Sequence, residues 1–194
     1  MAEISTIEER VPIHDREDCR MSLAKPVNDL MKRALEELLP VHRSLQEQGC
    51  FEQRGPFFLM ASVEIRGVTA RYCYEESVGG VPGDWEVPFH RIARSKHGIS
   101  QRTGEDTVDV PLAEREAGDT QYWGSIVREF EGGRIIVAIS GLQPWFDEAL
   151  SGVFAGLLLG LLKDEELVPR GYEPDRREPH FLSEDYLDAL QQVA

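Results

Sequence analysis

The sequence predicts an α+β fold in which an antiparallel sheet of two β-hairpins is covered by helices. Two observations support this prediction. Some segments repeat apolar residues every three or four positions, as helices do, whereas others are short, apolar and rich in aromatic and β-branched residues, as strands are. Their order along the chain is α-ββ-α-ββ-α, which is typical of an α+β domain. A chain of 194 residues has room for one such domain with terminal extensions.

The first predicted helix covers residues 26–48. Pro26 suits a first helical position and Gly49 suits a helix end, whereas Pro40 is expected to kink or split the helix. Residues 1–24 are polar and lack a sustained period. They are therefore predicted to be an N-terminal arm outside the domain.

The first predicted hairpin pairs residues 56–65 with residues 68–76. The two-residue spacing between them, Arg66-Gly67, favours a tight turn. A glycine-rich loop follows, and a second helix is predicted over residues 86–102. A long acidic loop then covers residues 104–121.

The second predicted hairpin pairs residues 124–130 with residues 134–140 around a Gly-Gly turn. A third helix over residues 144–162 closes the domain, which is predicted to span residues 25–163. Residues 164–194 are a C-terminal extension with a short capped helix at 183–192.

Composition narrows the classes of function. The net charge of −14 argues against nucleic-acid binding. The N-terminus has no apolar signal segment, and the most apolar run, 149–162, is too short to cross a bilayer. The three cysteines, at 19, 50 and 73, form no CxxC motif and are interpreted as reduced thiols. A cytoplasmic protein without a membrane partner is expected.

Lys96 is the anomaly of the second predicted helix. On a helical wheel it lies with Ser100 inside the apolar stripe of that helix. A lysine facing a core or a cleft needs a carboxylate, a carbonyl or a bound anion. Either its ammonium group reaches water or a nearby acid, or it binds a ligand. The stripe contains Phe89, Ile92, Ala93 and Ile99.

His90, Arg94 and His97 share one flank of the same helix because they are spaced four and three residues apart. This basic flank suits a carboxylate or phosphate, and a histidine there could ligate a metal or haem iron. The alternative is that these are ordinary solvated or partner-facing residues. No second ligand of matching spacing is visible, so no metal site is predicted.

The end of the last predicted strand has two interpretations. Gly141 permits a sharp turn, and Asp147 and Glu148 favour the positive end of the helix dipole that follows. The connection either only stabilises the helix start or places Ser140 and Gly141 in the wall of a pocket.

Three glycines recur every fourth residue in the third predicted helix and weaken its helix propensity. Close approach to the sheet or to another subunit would compensate, which predicts a homo-oligomer. The glycines are Gly152, Gly156 and Gly160. No GxSxG, HExxH, P-loop or GxGxxG motif occurs, so no catalytic residue is assigned.

Three segments, at 89–104, 122–142 and 147–150, resemble the GlcG/HbpS-like family, also called the haem-degrading domain family. With the first helix and hairpin, the resemblance covers residues 25–162. It implies a profilin-like α/β fold, and it implies oligomers. The family includes haem-binding sensors and domains attached to corrinoid-processing proteins.

The resemblance also implies a site in the cleft between the second helix and the second hairpin. The residues that it places nearest to this site are Arg94, Lys96, Gly124, Ser125 and Gly141.

The leading hypothesis is a cytoplasmic, oligomeric protein that binds a small molecule or cofactor, with haem as the first ligand to test. Phe89 and Ile92 would form an apolar wall, Arg94 and Lys96 would hold the propionates, and His90 or His97 would supply an axial nitrogen.

Two alternatives remain open. One is an enzyme that acts on a small anionic substrate, with Lys96 or a histidine as acid or base. The other is an interaction subunit without a pocket. In that case Lys96 would be engaged by an internal acid such as Asp147, and the acidic loop at 104–121 would occupy the cleft.

Overall fold

In the part of the chain that the structure describes, a four-stranded antiparallel sheet has two α-helices on one face and one on the other. The computed structural model describes residues 14–51, 56–66 and 71–168. The elements are α1 (His14–Glu47), β1 (Phe57–Ile65), β2 (Arg71–Val78), α2 (Phe89–Thr103), β3 (Ser125–Phe130), β4 (Gly133–Ser140) and α3 (Pro144–Asp164). Their class and order confirm the predicted α+β fold.

The strand order is β2-β1-β4-β3, so the two hairpins meet along β1 and β4. Alternate residues of these central strands face opposite layers. One set, including Leu59 and Val137, packs with α1 and α3 in the main core. The other set faces α2, where Ser62 contacts His97. Both faces of β4 are covered, as its nearly continuous apolar sequence predicts.

α1 is longer than predicted. It begins at His14 instead of near residue 26, so residues 14–24 of the predicted N-terminal arm are helical, and residues 1–13 lie outside the described part. The helix is also continuous through Pro40, where a kink or split was expected. Leu38 and His42 are buried on either side of this exposed proline, so core packing favours continued helix despite the lost hydrogen bond.

The first hairpin has a different register from the predicted one. Glu64 pairs with Arg71, whereas a two-residue turn at Arg66-Gly67 would pair Glu64 with Thr69. Gly67 itself lies outside the described residues. β1 packs on both faces and pairs with β4, and these contacts determine its register with β2. The turn spacing alone did not predict this register.

The remaining elements lie close to their predicted positions. α2 begins at Phe89 after Pro88, and Gly104 ends it in the left-handed conformation, with φ of 77°. Pro144 occupies the first turn of α3 as predicted. The predicted short helix at 183–192 lies outside the described residues.

α3 has 21 residues and ends two residues beyond the predicted helix at 144–162, so it is longer than the apolar run 149–162 alone. By length and composition alone it is long and apolar enough to cross a membrane, a criterion that core helices of soluble proteins also meet. One side of it packs on the sheet and α1. A Cβ atom added at Gly152, Gly156 or Gly160 would meet nothing within 4 Å, so approach to the sheet does not explain these glycines.

Gly141 is a position where the fold requires glycine. Its φ is 144°, and a Cβ there would lie 2.4 Å from the carbonyl oxygen of Pro56. Gly98, in α2, has a helical environment in which the nearest atom to an added Cβ is 3.9 Å away.

We therefore expect opposite effects from two glycine-to-alanine changes. Gly141→Ala should lower the free energy of unfolding by about 2–3 kcal/mol, because it adds backbone strain and a clash. Gly98→Ala should raise it by up to about 1 kcal/mol through helix propensity. Urea denaturation of both variants measures this, and equal effects would contradict the close packing assigned to Gly141.

Candidate functional site

A buried ion pair joins the two helical layers at the end of the sheet. Lys96 extends from α2 on one face, and Asp147 lies in the first turns of α3 on the other face. Lys96 Nζ donates to Asp147 Oδ2 at 2.7 Å and to the carbonyl oxygen of Ile139 at 2.9 Å. Lys96 is 1% exposed and Asp147 is 2% exposed. The predicted need of Lys96 for an internal partner is thus met by both an acid and a carbonyl.

Gly124 provides the space through which this pair forms. Its φ is 128°, and a Cβ there would lie 2.6 Å from Asp147 Cβ and 3.0 Å from Lys96 Nζ. A side chain at this position would therefore push the two partners apart. Gly124 was predicted as a ligand residue. In the structure, the absence of a side chain at Gly124 leaves room for the ion pair.

The turn after β4 holds the carboxylate of Asp147. The backbone N–H of Leu142 donates to Asp147 Oδ1 at 3.0 Å. One turn further along α3, the hydroxyl of Ser151 donates to the carbonyl of Gly124 at 2.8 Å and accepts from the N–H of Ile139 at 3.1 Å. Asp147 and Ser151 therefore fasten α3 to the end of the sheet, and Ser151 is a contributor that the sequence did not single out.

Burial changes the proton affinity of both partners. It raises the pKa of Asp147 to about 6, against the opposing effect of the Lys96 ammonium and of the backbone N–H donors. Burial likewise lowers the pKa of Lys96, although the charge of Asp147 opposes that change. A carboxyl and an amine with shifted pKa values in one place are typical of functional sites, and they also occur in structural ion pairs.

A cavity of about 240 Å³ opens beside the ion pair. We call it the Lys96 cavity. It lies between the start of α2 and the turn from β4 into α3, so the turn predicted as a pocket wall does line a pocket. Its lining is Val87, Phe89, Ile92, Lys96, Tyr122, Ser140, Gly141, Leu142, Pro144 and Asp147.

The cavity combines an apolar wall with a few polar groups, as ligand sites do. Phe89 and Ile92, predicted as an apolar wall, are part of it. The hydroxyl of Ser140, a residue only 3% exposed, makes no hydrogen bond to another described residue. Lys96, Asp147 and this free hydroxyl therefore form the polar part of the lining.

The predicted basic flank of α2 lies elsewhere. Arg94 forms an ion pair with Glu75, with Nε–Oε1 at 2.8 Å, and its guanidinium lies 5.6 Å from the ring centre of Phe58. The His90 ring packs edge-on against the same phenylalanine. These two side chains share a flank, as predicted, but that flank faces β1 and β2 instead of the cavity.

His97 is a core residue. Its Nε2 lies 2.8 Å from Ser62 Oγ, and the side chain is 1% exposed. Burial lowers its pKa to about 4, so the ring is neutral at pH 7. The predicted ligand role of His97 would require this contact to open.

Ser125 and the acidic loop are also outside the cavity. Ser125 is fully buried in β3, and its hydroxyl has no partner among the described residues. The loop at 104–121 is fastened by Thr107, whose hydroxyl accepts from the N–H groups of Gly124 and Ser125, both at 2.9 Å. No residue of this loop lines the Lys96 cavity.

Comparison of the chain with protein-family models, with curated proteins and with solved structures gives no match. The resemblance to the GlcG/HbpS-like family therefore stays a prediction.

The described residues do not fit a haem in the Lys96 cavity. Its lining contains no histidine, and at about 240 Å³ it is smaller than the range from about 300 Å³ upward that holds drug-sized ligands. His90 and His97 face the other flank of α2. Haem binding in this cavity stays a prediction, and no histidine of the lining could serve as the axial ligand.

Removing one partner of the ion pair should be costly. Lys96→Met leaves the Asp147 carboxylate buried without its cation, and we expect the free energy of unfolding to fall by about 3–5 kcal/mol. The double variant Lys96→Met/Asp147→Leu should recover most of this loss, because no unpaired charge remains. Urea denaturation at pH 7.5 measures both, and a double variant as unstable as the single one would contradict the assigned pairing.

Proposed function

We propose that this protein binds a small molecule in the Lys96 cavity. The observation that carries this proposal is an apolar cavity whose wall contains a buried ion pair and the hydroxyl of Ser140, which has no partner among the described residues. A wall of this kind recognises an apolar body through Phe89 and Ile92 and orients a polar head group. The cavity volume limits the ligand to a compound smaller than a typical drug.

The position of the cavity supports the same proposal. It lies where the last strand leaves the sheet and α3 begins, so its wall contains the backbone of Gly141 and the first turn of a 21-residue helix. The positive end of that helix dipole and the Lys96 ammonium both favour a ligand with partial or full negative charge.

The interaction-subunit hypothesis receives partial support. Lys96 is engaged by Asp147, which is one of its two expected features. The other expected feature was an acidic loop filling the cleft, whereas residues 104–121 do not line the cavity. We therefore rank ligand binding above a subunit without a pocket.

A second candidate is an enzyme that acts on a small anionic substrate. The shifted pKa values of Asp147 and Lys96 favour it, because a buried carboxyl that titrates near pH 6 can exchange a proton with a bound molecule. A chemical change in a bound compound distinguishes this candidate from simple binding.

We also propose that the protein is a cytoplasmic homo-oligomer. A Cβ atom at Gly152, Gly156 or Gly160 of α3 would meet open space, and Val153 beside them is 38% exposed. Small side chains of this kind permit close approach of another backbone, although they do not by themselves identify a partner.

Filling the cavity should abolish binding. Ile92→Trp places a bulky indole ring in the cavity wall. Small fragments that give saturation-transfer NMR signals with the natural protein should therefore give no signals with this variant. Leu112→Trp is the matched control, because Leu112 is 67% exposed and lies in the acidic loop away from the lining. It should keep the same signals.

Two results would contradict the proposal. One is a set of bound fragments that is unchanged in Ile92→Trp, which would place binding elsewhere. The other is a complete lack of bound fragments with a correctly folded natural protein. Conversion of a bound fragment to a new compound would favour the enzyme.

A further inference from the structure

We propose that the Lys96 cavity binds a small monocarboxylate with an apolar body, and that Asp147 takes up one proton as the carboxylate reaches Lys96. This inference rests on the proposed function, and it adds both a ligand class and a link between binding and pH. It follows from the hydrogen bonds at the cavity wall, from the charge balance there and from the shape of the cavity.

The hydrogen-bond inventory favours an acceptor group on the ligand. A lysine ammonium has three N–H donors, and two of them are used by Ile139 and Asp147. The third remains for a ligand, and so does the hydroxyl of Ser140, which has no partner among the described residues. Two donors on one wall suit the two oxygens of a carboxylate.

The charge balance requires a proton. A bound carboxylate and the carboxylate of Asp147 would both lie beside one ammonium in a site removed from water, where two like charges repel strongly. Protonation of Asp147 removes that repulsion. The ammonium of Lys96 then pairs with the ligand, the proton comes from solvent, and no other group needs to change its charge.

Asp147 is the group beside Lys96 whose protonation state is expected to change on binding. Among the described residues, Lys96 on α2 is the ionised side chain that acts on it, and the turn contributes the N–H groups of Gly141 and Leu142. Burial, and after it the charges of Asp106 and Asp109 in the acidic loop, raise the pKa of Glu148, the next residue on α3. Gly124, which precedes β3 and lies against Asp147, carries no charge, and neither does Ile139 of β4, whose carbonyl accepts from the same ammonium.

The rest of the wall selects the body of the ligand. Val87, Phe89, Ile92 and Pro144 present apolar surface to the cavity. A benzoate-sized acid has a flat apolar ring for this wall and one carboxylate for Lys96. Benzoate is therefore a suitable probe, and benzamide, which has the same shape without the charge, is its matched control.

The test is calorimetric titration of the folded natural protein with benzoate and benzamide from pH 5.5 to pH 8. Repeating each titration in two buffers of different ionisation enthalpy counts the protons taken up. We expect one proton per benzoate above pH 7 and none per benzamide. Because Asp147 in the free protein has a pKa of about 6, the benzoate Kd should rise about tenfold per pH unit above that value.

Asp147→Asn separates proton uptake from binding. Its amide cannot ionise, so benzoate should bind with a Kd that varies less than threefold from pH 6 to pH 8. Should this variant fail to fold, the proton count on the natural protein decides alone. Ile92→Trp should abolish the benzoate signal, and Leu112→Trp should retain it.

The outcomes distinguish the two proposals. Benzoate binding without proton uptake, or benzamide binding as tight as benzoate, overturns the inference and leaves small-molecule binding intact. Fragment binding in the cavity without any carboxylate among the bound compounds does the same. If neither benzoate nor benzamide binds, and if no fragment loses its binding in Ile92→Trp, both the proposed function and this inference are overturned.

Discussion

The ion pair between Lys96 and Asp147 is the interaction on which the rest of the site depends. It connects helices on opposite faces of the sheet, and it is almost completely buried. Two charges lose much hydration energy in such a place, and good geometry and further hydrogen bonds must offset that loss. The carbonyl of Ile139 and the N–H of Leu142 supply those bonds, and Gly124 leaves the space that the pair needs.

The same ion pair connects the stability of the fold with the ligand binding that we propose. A hydrophobic pair of similar volume would often hold two helices equally well, so the presence of charges here agrees with the second role that we propose. Here the charges lie in the wall of a cavity, where the ligand that we propose would pair with Lys96. The glycine at 141 bends the chain so that Ser140 and Asp147 reach this same wall.

Much of the fold was predictable because hydrophobic period and glycine positions are local signals. The misplaced Lys96 in an apolar stripe correctly indicated a buried partner, and Asp147 was among the acids considered. The helical wheel placed Arg94 and His97 on one flank but could not tell which elements that flank would face. α1 extended past its predicted start, for which the sequence pattern gave no signal. β2 took another register because the pairing of β1 with β4 and its packing between two layers determine that register.

The carboxyl pKa of Asp147, measured by ¹³C NMR, tests the central claim most directly. The signal can be assigned by its loss in Asp147→Asn and followed from pH 3 to pH 9. A buried carboxyl paired with Lys96 beside the cavity should titrate with a midpoint near 6. A midpoint at or below the ordinary value of 3.8 would mean that the charge of Lys96 outweighs burial, and it would contradict the proton uptake proposed for Asp147.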